Sequence, residues 1–79
     1  MELEKAKSLY VIAKNNLERA EKELSQKREE LKPEIENAYT FGHDQGIAFE
    51  KYITVTTGIH LHREVFKRAK QALMEHYKN

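Results

Sequence analysis

The chain has 79 residues, no cysteine, and 14 basic against 13 acidic side chains. A domain of this size buries only roughly 60 to 65 % of its unfolded surface, so its core is marginal, and without cysteine no disulfide or thiolate metal site can supplement it. The near-neutral charge argues against both a polybasic nucleic-acid binder and an acidic DNA mimic.

The first third of the chain carries a heptad repeat. Its residues recur at intervals of seven as two series, with large side chains at position a and small ones at position d. The a series is Leu3, Tyr10, Leu17, Leu24 and Leu31; the d series is Ala6, Ala13 and Ala20, with Lys27 in the next place. We interpret these residues as a helix-packing seam on a long, coiled-coil-like helix over about 3–32.

A helix of that length is about 45 Å long, whereas a compact 79-residue monomer has an expected radius of gyration of about 12 Å. The part of the helix that extends beyond a compact monomer requires a partner surface. A second copy of the chain is the simplest partner. We therefore expect a homodimer, either a four-helix-type or a coiled-coil assembly.

Pro33 interrupts the first helix, and residues with helical spacing follow it. A tight hairpin at Pro33 is favoured over a long helix that is merely kinked there. The second helix is expected over about 34–55. Its apolar row contains two glycines: Ile35, Tyr39, Gly42, Gly46, Phe49 and Ile53.

Gly42 and Gly46 lie on one face of this second helix and predict a close helix contact. If the chain turns back at Pro33, Gly46 comes opposite Ala20, and Gly42 comes near Leu24. Small residues opposite small residues would suit one close crossing of the two helices. The alternative is a flexible break within the helix, because each glycine costs roughly 1 kcal/mol relative to alanine.

The last segment follows a β-branched run that ends at Gly58. We expect the second helix to end near residues 53–57, with Gly58 as the break, although a short β-hairpin within residues 52–62 is the alternative. A third helix is predicted over about 59–77. Its inward side chains would be Ile59, Val65, Phe66, Ala69, Ala72, Leu73 and Tyr77.

No pattern of residues indicates chemistry. The closest pair of the four histidines, His60 and His62, is two residues apart, which on a helix separates the side chains by roughly 200°. No nucleophile elbow, phosphate-binding glycine loop or Cys-His pair is present. We therefore expect no metal, no cofactor and no catalytic residue.

The predicted fold is thus all-α, a single domain over residues 1–79 that forms a dimeric helical bundle. The predicted function is that of a non-catalytic protein–protein interaction module, such as an adaptor, regulator or inhibitor. The alternative is a nucleic-acid-binding regulator that uses a basic surface of the last helix, formed by Arg63, Lys67, Arg68 and Lys70. No signal-peptide pattern follows Met1, and the longest apolar run, Leu9 to Ala13, is too short to span a bilayer, so a cytoplasmic location without a membrane partner is expected.

Overall fold

The computed structural model describes residues 2–78, and the described chain is all-α, as the sequence predicts. The segment at 52–62 is a helix, a turn and the next helix rather than a β-hairpin. The four helices are α1 (Leu3–Glu30), α2 (Lys32–Phe41), α3 (His43–Thr56) and α4 (Ile59–Glu75).

The first two helices form one nearly continuous arm. The N–H of Leu31 donates to the carbonyl of Lys27 and the N–H of Ile35 donates to that of Leu31, both at 2.9 Å, so helical hydrogen bonding continues past the proline. Pro33 lies in the first turn of α2, where its missing donor removes no necessary bond. The hairpin predicted at Pro33 is therefore wrong. Near the proline, the chain departs from helical geometry at one residue, Leu31, where φ is −99° and ψ is 13°.

The direction of the chain reverses at Gly42, the extended residue between α2 and α3. The phenol of Tyr39 donates a 2.7 Å hydrogen bond to the carboxylate of Glu50, and the ring centroids of Tyr10 and Phe66 lie 5.4 Å apart. The molecule is thus an antiparallel helical hairpin with a first arm of α1 and α2 and a second arm of α3 and α4, and it measures 55 × 20 × 15 Å. The single second helix expected over about 34–55 is divided by this turn.

Gly46 lies under the ring of Tyr39. A Cβ atom at this glycine would lie 2.3 Å from Cγ and from Cδ1 of Tyr39, so no larger residue fits without movement of the ring. The expected pairing of Gly46 with Ala20 is wrong, because the turn comes nine residues later than Pro33. The reversal therefore brings Gly46 against α2 instead of α1.

The second arm also contains a break, between α3 and α4. Gly58 adopts a left-handed conformation with φ of 69°, which glycine accepts without the steric cost that a Cβ atom brings. The buried hydroxyl of Thr57 donates to the carbonyl of Thr54 at 2.6 Å and accepts from the N–H of Ile59 at 3.3 Å. These bonds satisfy backbone groups where the helical ladder stops. The β-branched run thus ends one helix and begins the next.

The core is thin, because a two-arm hairpin buries only the row of side chains between its arms. The three d-position alanines are buried, and they leave room for the large side chains of the second arm. The described chain buries six apolar side chains in all: Ala6, Ala13, Ala20, Leu24, Ile53 and Ile59. The last four form a central cluster on which Leu17, Leu31, Ile35 and Phe49 pack.

The contact of Gly46 with Tyr39 predicts that replacement by alanine has different effects on stability at the two glycines near the turn. We expect Gly46→Ala to lower the free energy of unfolding by about 1–3 kcal/mol, because overpacking outweighs the gain in helix propensity. Gly42→Ala is the control, since its Cβ would meet only the side chain of Gln45, at 3.6 Å. We expect that change to stay within about 0.5 kcal/mol. Urea unfolding followed by circular dichroism measures both, and equal effects would contradict the assignment of the turn.

The buried alanines predict a second stability difference. Ala20 is buried in one cluster with Leu24, Ile53 and Ile59, so Ala20→Leu is expected to lower the free energy of unfolding by about 1–3 kcal/mol. Ala48 is exposed on α3 and serves as the control, because Ala48→Leu adds the same atoms where there is space. Thermal melting of both variants tests the packing, and an unchanged melting curve for Ala20→Leu would refute it.

Candidate functional site: the two open faces of the hairpin

The heptad row of α1 is occupied by the chain itself. Its alanines and Leu24 are buried, and the remaining members are half-buried: Leu3, Tyr10, Leu17 and Leu31. These residues pack against the second arm, which runs beside the first arm along its length. The helix therefore has no overhang at its end, and a partner must use other faces of the hairpin.

The hairpin exposes more surface than a compact protein of its mass. Its solvent-accessible surface is 6241 Å², whereas a compact monomer of 9.3 kDa exposes about 5,000 Å². Its Cα radius of gyration is 17.1 Å, against about 12 Å for a compact chain of this length. Within residues 2–78, ten large apolar side chains are exposed, so the extra surface is not purely polar.

Two of these exposed apolar residues flank the seam of α1. In the heptad of α1, Leu9 occupies position g and Ile12 occupies the neighbouring position c. In α4 the inward row runs through Ile59, His62, Phe66, Ala69 and Leu73, which alternate in steps of three and four. That row assigns Val65 to position g and Leu61 to position c.

The four flanking residues share one face of the hairpin. When two helices run antiparallel, their wheels turn in opposite senses, so the g flank of one helix lies beside the g flank of the other. The contact of Tyr10 with Phe66 brings Leu9 and Ile12 level with Val65. All four side chains, Leu61 included, are between 38 % and 66 % exposed. Val65, which the sequence predicted to face inward, therefore belongs to an open surface.

The same face continues into the half of the hairpin that contains the turn. Lys27 donates a 3.1 Å hydrogen bond to the hydroxyl of Thr56 and thereby joins the two arms there. Tyr52 lies one helical turn before Thr56 and is 66 % exposed. We call the set Leu9, Ile12, Tyr52, Leu61 and Val65 the apolar face.

The opposite flank of the seam is basic. Lys14 occupies position e of α1 and lies within about one residue of the level of Arg63, given the contact of Tyr10 with Phe66. Arg63 and Lys70 occupy position e of α4, and Lys67 lies beside them. We call Lys14, Arg63, Lys67 and Lys70 the basic row. Within residues 2–78 none of the four forms an ion pair.

Arg68, which the sequence grouped with the basic surface, lies elsewhere. It occupies position c of α4, toward the apolar face, and its Nε atom lies 3.6 Å from the carboxylate of Glu64 one turn earlier. Arg63, Lys67 and Lys70 are brought together on one side of α4, as their spacing implies. Lys14 was not grouped with them, because only the position of the turn shows which residue of α1 lies beside Arg63.

One ionisable side chain near the turn, Tyr39, has a shifted pKa. The hydrogen bond that Tyr39 donates to the carboxylate of Glu50 raises the pKa of the Tyr39 phenol, because it stabilises the protonated form. The imidazole of His43 lies tilted against the same ring, with the ring centroids 5.9 Å apart. Across residues 2–78 no group of three or more His, Cys, Asp or Glu residues is arranged to hold a metal ion. In the same part of the chain no helix has the length and apolarity needed to cross a membrane.

Comparison of the chain with models of protein families, with curated proteins and with solved structures finds no match. The apolar face and the basic row are the two open surfaces of the hairpin that bear on function.

Proposed function

We propose that this protein is a small non-catalytic protein–protein interaction module that acts as a homodimer, with the apolar face as its self-association surface. The observation that carries the proposal is the collection of exposed aliphatic and aromatic side chains on one face of a hairpin with a thin core. Exposed apolar side chains gathered on one face are typical of interaction sites on proteins.

The area of exposed surface fits this proposal. The hairpin exposes roughly 1,200 Å² more than a compact protein of its mass, and a standard protein interface covers about 800 Å² of each partner. A second copy in an interface of that size would therefore remove from water roughly two thirds of the excess. The two hairpins, each a layer of helices, would then form a four-helix assembly with an apolar interior between the layers.

The dimer would keep the basic row available to another protein. The row lies on the e flank and the apolar face on the g flank, so covering one leaves the other in solvent. An acidic surface on a second protein would complement the unpaired cations. This arrangement suits an adaptor, regulator or inhibitor that dimerises through one face and binds its target through the other.

Two adjacent residues of α1 provide a matched test of self-association. Ile12 is 55 % exposed on the apolar face, whereas Val11 is 52 % exposed at position b, on the flank of the basic row. We expect Ile12→Glu to weaken dimerisation by about 10- to 100-fold, because it replaces apolar burial with a charge, and Val11→Glu to leave it unchanged. Sedimentation equilibrium of the wild type and both variants measures this. A monomeric wild type, or equal effects of the two changes, would refute the proposal.

The basic row favours a second candidate function, the binding of nucleic acid. Four cations without ion-pair partners on one flank can contact successive phosphates, and such binding falls steeply as the salt concentration rises. Contacts between cations and phosphates carry no sequence information, so this binding would be independent of sequence.

Charge reversal on α4 tests the second candidate. If the basic row binds phosphates, Arg63→Glu weakens binding to duplex DNA and reduces the salt slope by about 1, because one phosphate contact is lost. Arg68→Glu is the control, as it changes the same charge on another side of the same helix. Fluorescence anisotropy across a salt series provides the measurement. No binding of wild-type protein at low salt would exclude this function.

A further inference from the structure

A groove lies on the same flank of the hairpin as the basic row, nearer to the turn. Arg28 occupies position e of α1, two heptads after Lys14, and His60 occupies position b of α4, one heptad before Lys67. Both side chains line a groove of about 430 Å³ between α1 and the second arm. The residues that line it are Arg28, Ile47, Glu50, Lys51, Thr54, Val55 and His60.

The groove combines aliphatic surface with cations. Ile47 and Val55 provide the aliphatic surface, and Val55 is 64 % exposed. Within residues 2–78 neither Arg28 nor Lys51 forms an ion pair. The carboxylate of the lining, that of Glu50, already accepts a hydrogen bond from the first arm. The groove is therefore suited to an apolar side chain that has a negative charge beside it.

The charges along this flank show which arm an acidic chain would follow. The first arm carries carboxylates on the flank, among them Glu18 and Glu21 at positions b and e. From the start of α4 to Lys70, the same two positions carry cations and a histidine: His60, Arg63, Lys67 and Lys70. A negatively charged segment would therefore follow the second arm, from the groove toward the open end of the hairpin.

The groove is open to solvent and not enclosed, because the side chains of Arg28, Lys51, Val55 and His60 are all exposed. Sites for free small molecules usually bury about 70–90 % of the ligand. An open groove suits instead one side chain of a larger partner, whose binding is supported by further contacts of the same partner. The basic row provides those contacts on the same flank.

We propose that the groove and the basic row together form a docking surface for an acidic segment of a target protein, with an apolar side chain of that segment in the groove and its carboxylates along α4. This inference rests on the proposed role as an interaction module and identifies the chemistry of the target. The composition of the groove favours a peptide over a nucleic acid. Phosphates would gain nothing from the aliphatic surface of Ile47 and Val55, and the carboxylate of Glu50 would repel them.

Two fluorescently labelled peptides test the docking surface. One is a leucine followed by eight glutamates, and in the other a serine replaces the leucine. Eight extended residues span about 26 Å, which is similar to the roughly 24 Å of helix between Thr54 and Lys70. We expect wild-type protein to bind the leucine peptide about 5- to 10-fold more tightly than the serine peptide, because the leucine leaves water in the groove. Fluorescence anisotropy at low salt measures both affinities.

Val55→Ser is the matched change in the protein, because it removes aliphatic surface from the groove without changing the charge. We expect it to reduce the preference for the leucine peptide to about 2-fold or less and to leave binding of the serine peptide unchanged. Phe41→Ser is the control, since Phe41 is 85 % exposed at the end of α2, outside the groove. This variant should keep the full preference. Circular dichroism verifies that both variants keep their helices.

The outcomes separate the groove from the proposed function. Equal binding of the two peptides by wild-type protein would overturn the inference, while an acidic target of the basic row would stand. A preference that persists in Val55→Ser would also overturn it, because the leucine would then bind elsewhere. Failure of both peptides to bind would remove the acidic target from the proposed function together with the inference, and binding of duplex DNA in that case would favour the second candidate function.

Discussion

The architecture depends on the contact between Tyr39 and Gly46. This contact holds α3 against α2 at the reversal of the chain, and the bond from the Tyr39 phenol to Glu50 joins the same helices one turn further along. The position of the reversal, together with the break at Gly58, sets the register of the two arms. That register brings Tyr10 to Phe66 and places the d-position alanines under the second arm.

The same register determines which surfaces remain open. A pair of arms buries a single row of side chains, so every residue on the flanks of that row is left in solvent. Small residues at position d strengthen this effect, since the three alanines fill the seam with little apolar volume of their own. The apolar side chains at positions g and c are therefore additional to the core of the hairpin. Such residues are costly for a monomer to expose and useful in an interface.

The sequence predicted the fold class and the first helix well, because periodic burial over many residues is a strong signal. It predicted the reversal of the chain at Pro33 and not at Gly42, for a local reason. Proline disfavours the interior of a helix but is tolerated in a first turn, and the slight break at Leu31 gives Pro33 that setting. Gly42 lies in the regularly spaced apolar row of the predicted second helix. Its spacing therefore indicated a helix–helix contact, and the end of α2 at this residue was missed. Once the turn was misplaced, the partners of Gly46 and Lys14 and the exposure of Val65 could not be derived.

The charges of the basic row also bear on function, independently of packing. Across the e flanks of the hairpin, Lys14 lies level with Arg63, and like charges in facing positions oppose the association of the two arms. Monomer stability would favour a carboxylate at one of these positions. Keeping the cations together at the open end is unfavourable for the isolated hairpin. It becomes favourable when an acidic surface approaches, and this supports an interaction role in which both open faces of the hairpin are used.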